Sequence, residues 1–150
     1  MDALILKDVL ISLGELERYY EGVVPIDLWR GLNVKKDSEL FSLIEEPYKM
    51  SNGRIRRPDI TIKNGRVEVQ HWPRGISTFD RPGVPTGKDW TYYKIPADTV
   101  LPEGLAIVKD SYNEILNATH YTIAPAYSMS LGKFKCLLNE LAKNAKKDAA

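Results

Sequence analysis

Apolar residues recur at steps of three and four near the start of the chain, at Leu6, Val9, Leu10, Leu13, Leu16 and Tyr20. That spacing predicts one amphipathic helix over residues 3–21, stopped at Gly22. A second helix is predicted from Ser130, its N-cap, with Leu131, Phe134, Leu138, Leu141 and Ala145 on the apolar stripe. Lys143, Lys146 and Lys147 fall near its C-terminal end, where positive charge suits the dipole. The tail beyond Lys147 is expected to fray. A short helix is predicted behind Asp37 as cap, with Leu40, Phe41 and Ile44 on one face and Pro47 limiting its length.

Elsewhere the pattern turns to alternation, which marks half-buried strands. Residues 60–62 and 67–69 alternate around Asn64-Gly65, the pair that a type I′ turn favours, and predict a hairpin. Residues 23–32, 90–95, 105–108 and 119–124 read as strands, three of them bounded by Pro96, the Pro102-Glu103-Gly104 turn and Pro125. The Gly- and Pro-rich stretch 74–89 reads as loop, with a short strand or turn at 76–79. Residues 48–58 are polar and turn-rich, and end in the basic run Arg54-Ile55-Arg56-Arg57. Short strands with few helices indicate an α+β fold.

Composition narrows the field. At 150 residues the chain is expected to form one domain, 1–150, with a core that needs no staples. Hydrophobic content of 43% and charged content of 27% are those of an ordinary globular protein. A net charge of +1 gives no global pull towards nucleic acid or an anionic membrane, so any nucleic-acid contact must rest on a local patch. Cys136 is the only cysteine, which rules out an intrachain disulfide. No apolar run approaches the roughly 20 residues of a membrane helix, so no membrane partner is expected. The start, Met1-Asp2-Ala3-Leu4, lacks the basic region of a secretory signal peptide.

Three segments place polar residues beside strand formers: Ile26-Asp27-Leu28-Trp29-Arg30-Gly31, Gly75-Ile76-Ser77-Thr78-Phe79-Asp80-Arg81 and Ala118-Thr119-His120-Tyr121-Thr122-Ile123-Ala124-Pro125. Arg30 offers a planar fork for phosphate or carboxylate, or an ordinary ion pair at a strand end. Gly31 beside it would let a ligand approach the backbone. Ser77 and Thr78 supply hydroxyls that orient an arginine or a ribose, or that bond a local turn. Phe79 stacks on a flat ring or joins the core. His120 bonds a hydroxyl or works as an acid or base near neutral pH, or is a satisfied structural residue. Only one of His120 and Tyr121 can face a given side of the sheet. Two histidines, His71 and His120, and a cysteine without a spaced partner make no metal-ligand set. Phosphate-binding glycine loops and the nucleophile elbow of hydrolases are absent.

The order arginine, Ser-Thr, then a polar residue on a late strand resembles the NAD cleft of ADP-ribosyltransferase toxins. More specifically, residues 75–145 resemble the type VI secretion effector toxins typified by the second Tse toxin. The matching words are Ser77 with Phe79-Asp80-Arg81 and Gly83-Val84, Ile95-Pro96, Ile107 to Asp110 with Ser111-Tyr112-Asn113, and above all Ala118-Thr119-His120-Tyr121-Thr122-Ile123 with Pro125-Ala126 and Met129. Leu28-Trp29-Arg30 and Pro58-Asp59-Ile60 extend the match upstream, and similar words occur in bacterial polymorphic toxins.

The resemblance implies split, curved β-sheets around an NAD-type cleft with flanking helices. NAD would be a substrate and no metal would take part. Arg30 would hold the NAD phosphates or ribose, Ser77 with Thr78 would brace that arginine and the nicotinamide ribose, and Phe79 or Tyr121 would stack on nicotinamide. The catalytic set expected is Arg30, Ser77 and His120; Gly31, Thr78, Phe79 and Tyr121 complete the NAD contacts. It further implies a monomer, export without a cleaved signal by type VI secretion components, a cognate immunity protein, and action in the recipient's cytoplasm on an intracellular protein or nucleic acid.

The chain departs from the transferase pattern in two places. His120 stands where arginine-directed transferases carry Glu-x-Glu, and the only such spacing, Glu15-Leu16-Glu17, lies in the first predicted helix. Ile76 replaces a hydroxyl residue of the family pattern. Either a carboxylate such as Glu114 or Asp80 enters the cleft, or transfer runs without one. The alternatives to a transferase are an NAD glycohydrolase, an RNA-cleaving toxin using His120, Tyr121 and the basic 54–57 loop, and a module that inhibits by docking.

Overall fold

The computed structural model describes residues 4–43, 45–71 and 74–147. Helix α1 spans Leu6–Ser12, and strands β1 (Tyr19–Tyr20) and β2 (Leu28–Asn33) follow. The polar middle holds β3 (Tyr48–Lys49), β4 (Ile55–Arg56), β5 (Thr61–Lys63) and β6 (Arg66–Glu68). Then come β7 (Ile76–Phe79), β8 (Trp90–Ile95), β9 (Leu105–Asn113) and β10 (Ala118–Pro125). The described chain closes with β11 (Met129–Ser130), α2 (Leu131–Ala142) and β12 (Lys146–Lys147). The fold is α+β, dominated by strands. No helix is long and apolar enough to cross a membrane among the described residues.

The main sheet runs β1-β9-β10-β7-β2-β8-β12, and all its pairings are antiparallel. Alternation decides what each face carries. In β9 and β10, Leu105, Ile107, Tyr121 and Ile123 join the core with Phe134, Leu138 and Leu141 of α2. The intervening Ala106, Val108 and Ala124 pack with Leu6, Val9 and Leu10 of α1. A helix therefore covers each face at one end of the β9–β10 pair. A seven-residue helix is marginal by itself. Burying Leu6, Val9 and Leu10 contributes roughly 1.5–3 kcal/mol each, which outweighs that deficit.

Two predicted helices are corrected, and a third is shorter than predicted: α2 stops at Ala142, short of Ala145, and Lys146 and Lys147 pair with β8 as β12 instead of closing the helix. The first ends at Ser12 rather than running to residue 21. Gly14 takes φ of +72° and the Glu15 amide donates to the Leu10 carbonyl, which turns the chain; Tyr19 and Tyr20 then pair with Val108 and Ile107. Leu13 and Leu16, counted on the stripe, are exposed. The helix behind Asp37 is replaced by turns. The Asp37 carboxylate accepts the Asn33 amide and the Leu40 carbonyl accepts from Arg30, so neither group serves a helix there. The first helix also starts at Leu6, behind an extended Ile5, rather than at residue 3; Ile44 and the tail beyond Lys147 lie outside the described residues.

Other expectations agree closely. The Asn64-Gly65 turn has φ of 54° and 73° and joins β5 to β6. The Ser130 hydroxyl caps α2 by accepting the Lys133 amide. The strand predicted at 90–95 is β8. The strand predicted at 105–108 is longer, continuing to Asn113, and the one predicted at 23–32 begins at Leu28.

Candidate functional site

The pairing of β2 with β7 is registered at Trp29 with Phe79, whereas β2 runs beside β8 over six positions. Beyond that junction a cavity of about 490 Å³ opens, within the range of small-molecule sites. Arg30, Gly31, Ser77, Phe79 and Trp90 line it, with Asp59 and Arg56 from the polar middle of the chain.

Arg30 is held by main-chain acceptors. Its Nε donates to the Leu40 carbonyl at 3.2 Å and its Nη1 to the Ser77 carbonyl at 2.9 Å. Burial pushes its pKa down, and the carboxylates of Asp59 and Asp37 oppose that shift. A guanidinium keeps its charge under such pressure, so the cavity wall carries a fixed cation.

A second cavity, about 450 Å³, shares Ser77, Arg56 and Asp59 with the first. His120, Asp110, Thr122, Arg57 and Arg74 complete its wall. Strand register explains the grouping. His120 pairs with Phe79 and Thr122 with Ser77, so those four side chains share a face. In β9 the register shifts: Tyr121 pairs with Lys109 but Thr119 pairs with Tyr112. The bulge sets Asp110 and Ser111 opposite His120 and re-aims the strand there. Asp110 Oδ2 lies 2.8 Å from His120 Nδ1 and accepts a weaker bond from the Thr122 hydroxyl at 3.3 Å. The hydrogen bond from His120 is the main cause holding the Asp110 carboxyl below the usual carboxylate range, against the opposing effect of burial. The His120 ring also tilts against Phe79, with centroids 5.3 Å apart.

The two cavities thus gather Arg30, Gly31, Ser77, Phe79 and His120. Thr78 and Tyr121 are not brought there, contrary to the NAD contacts expected of them. They pair with each other on the opposite, core side of the strands, where the fully buried Thr78 hydroxyl donates to the Tyr121 carbonyl at 2.8 Å. Ser77 braces Arg30 through its carbonyl rather than its hydroxyl. Gly31 serves packing: a Cβ there would meet Trp90 Cε3 at 3.0 Å.

Neither carboxylate considered from the sequence supplies the site. The Asp80 carboxylate accepts the Thr119 amide, and Glu114 is exposed beyond the end of β9. Among the described residues, the carboxylates that line the two cavities are Asp37, Asp59 and Asp110. Asp110 stands ten positions before His120, a separation that carries no helix or turn signal; only the hairpin register reveals the pair. Asp59 forms an ion pair with Arg56 at 3.0 Å, and its signal was the Pro58-Asp59-Ile60 word alone.

Comparison with known sequences agrees with this architecture. The profile of the Tse2 ADP-ribosyltransferase toxin family matches residues 10–150. The toxin Tse2 of Pseudomonas aeruginosa strain PAO1 is 42% identical over 129 residues, spanning 84% of this chain and 80% of that protein.

Proposed function

The chain belongs to the Tse2 ADP-ribosyltransferase toxin family, and from that premise we propose that it binds NAD in the two-part cavity and transfers ADP-ribose inside a recipient bacterium. The observation that carries the proposal is the convergence of Arg30, Ser77 and Phe79 on one cavity from strands distant in sequence. Arg30 offers a fixed cation for the phosphates or ribose. The Ser77 hydroxyl suits the nicotinamide ribose, and the Phe79 ring suits nicotinamide itself. Positive charge builds on the ribose as nicotinamide leaves, and Asp59 and Asp110 provide negative charge in the same walls.

The proposal includes delivery by type VI secretion without a cleaved signal, a monomeric toxin, and a cognate immunity protein that protects the producer; the membership in this toxin family supports it. NAD hydrolysis is the second reading. His120, with Nδ1 engaged by Asp110, presents Nε2 as a base that would activate water as readily as a hydroxyl.

Expression in bacteria without an immunity protein tests both. Wild type, Arg30→Lys, Ser77→Ala and His120→Ala would be compared for growth, total NAD and incorporation of labelled ADP-ribose, with folding checked by circular dichroism. Arrest with label on macromolecules, lost in the folded variants, is the expected result. Arrest with falling NAD and no label would establish hydrolysis instead, and arrest with neither would remove NAD chemistry.

A further inference from the structure

Resting on the NAD reading, we infer that the cavity beside His120 is the acceptor subsite and that its acceptor is a ribose hydroxyl of RNA. The two halves of the site differ in kind. The Arg30 half is lined by aromatic rings, Phe79 and Trp90, while among the described residues the His120 half has only the imidazole of His120 and is ringed by Arg56, Arg57 and Arg74. Its two carboxylates, Asp59 paired with Arg56 and Asp110 bonded to His120, face three guanidiniums. With His120 neutral the lining keeps a net positive charge, Arg57 and Arg74 standing against the single carboxylate of Asp110. Arg74 is steadied by donating to the Pro58 carbonyl, which ties the basic loop to the approach of β7.

This charge disfavours a cationic acceptor such as an arginine side chain and favours a phosphate-bearing strand. The dyad selects the nucleophile. In its neutral form with the proton on Nδ1 towards Asp110, His120 would leave the Nε2 lone pair for an O–H proton. RNA brings that O–H beside each phosphate as its 2′-hydroxyl, which DNA lacks. In the step, the bond from ribose C1′ to the nicotinamide nitrogen breaks and its electron pair leaves with neutral nicotinamide. A bond forms between C1′ and the acceptor oxygen, and the acceptor proton passes to His120 Nε2. His120 is the catalytic base; Asp110 is a positioning residue.

The test incubates the purified protein with NAD labelled in its adenylate phosphate. Three acceptors are offered: a short single-stranded RNA, the same RNA with 2′-O-methyl groups and a blocked 3′ end, and RNase-treated bacterial protein. Label should enter the unmodified RNA and fall at least tenfold on the blocked one. RNA binding should weaken with salt with a log–log slope of about −1.4 for the two phosphate contacts of Arg57 and Arg74, and R57E should flatten it by roughly 0.7. Asp110→Asn should lower kcat for labelling about tenfold with the RNA KM within twofold. Label on protein alone, or NAD consumed with none on RNA, overturns the acceptor assignment and leaves NAD chemistry standing. NAD left intact with all three acceptors overturns both, as does RNA fragmentation without NAD.

Discussion

Arg30 Nη1 donates to the Ser77 carbonyl at 2.9 Å across 47 residues of sequence, so one half-buried side chain ties β2 to β7 at the point where the cavity opens. Position 30 therefore serves the fold as well as the ligand. Lysine cannot reproduce both bonds, to Leu40 and Ser77, from a single ammonium in fork geometry. Arg30→Ala should cost about 1–3 kcal/mol, since two half-buried carbonyls lose their donor. Ser77→Ala keeps its carbonyl and should stay within about 0.5 kcal/mol of wild type. Urea denaturation separates them; a Ser77→Ala loss as large as that of Arg30→Ala would contradict this division of roles.

Thr78 supplies a complementary control. Its hydroxyl is buried and spent on the Tyr121 carbonyl. Thr78→Val should lower stability by about 1 kcal/mol while the folded protein keeps its NAD turnover. A selective collapse of turnover with unchanged melting temperature would place Thr78 in the site after all.

Three glycines predict three different alanine effects. At Gly75 a Cβ would fall on the Ile123 carbonyl oxygen, backbone that cannot yield without parting β7 from β10. Gly75→Ala should cost more than about 3 kcal/mol. At Gly31 the obstacle is the Trp90 ring and Pro85, which can shift, so about 1–2 kcal/mol is expected with a reshaped cavity. Gly132 in α2 has nothing within 4 Å, and alanine there should stabilise by about 0.5 kcal/mol. Chemical denaturation of the three variants checks the order.

Asp110 gives a pH dependence with a defined sign. Its carboxyl is held below its ordinary range in the folded protein, first by the His120 hydrogen bond. The stability it contributes is present above the unfolded carboxylate pKa of about 4 and is lost as pH falls through the lowered folded value. Asp110→Asn should therefore be less stable than wild type by about 1 kcal/mol at pH 7. The gap should narrow in acid. Urea midpoints at pH 7, 5 and 3.5 would show this; a gap that widens in acid would reverse the sign.

Much of the local structure was legible because it depends on neighbours in sequence. Asn64-Gly65 specifies a left-handed turn whatever lies around it, and Ser130 caps α2 with its own hydroxyl. The first helix was over-read because a 3.6-residue stripe counts apolar positions without knowing their partners. Leu6, Val9 and Leu10 find β9 and β10, whereas Tyr19 and Tyr20 gain more by pairing with Val108 and Ile107.

The candidate site divides along the same line. Arg30, Ser77, Phe79 and His120 could be nominated from side-chain chemistry and the motif words, and alternation required Thr78 and Ser77, or His120 and Tyr121, to part company. Which member of each pair meets the cavity was not legible, since alternation distinguishes faces without saying which is covered.

The sequence by itself determined the Asn64-Gly65 turn, the cap of α2, the alternating faces and the family. Tertiary structure alone decided that β7 lies between β10 and β2, that a bulge in β9 turns Asp110 onto His120, and that basic residues of the middle segment close the wall. The physical reason is range. Backbone preference and capping act within a few residues, while strand neighbours and cavity walls follow from which apolar faces are buried together.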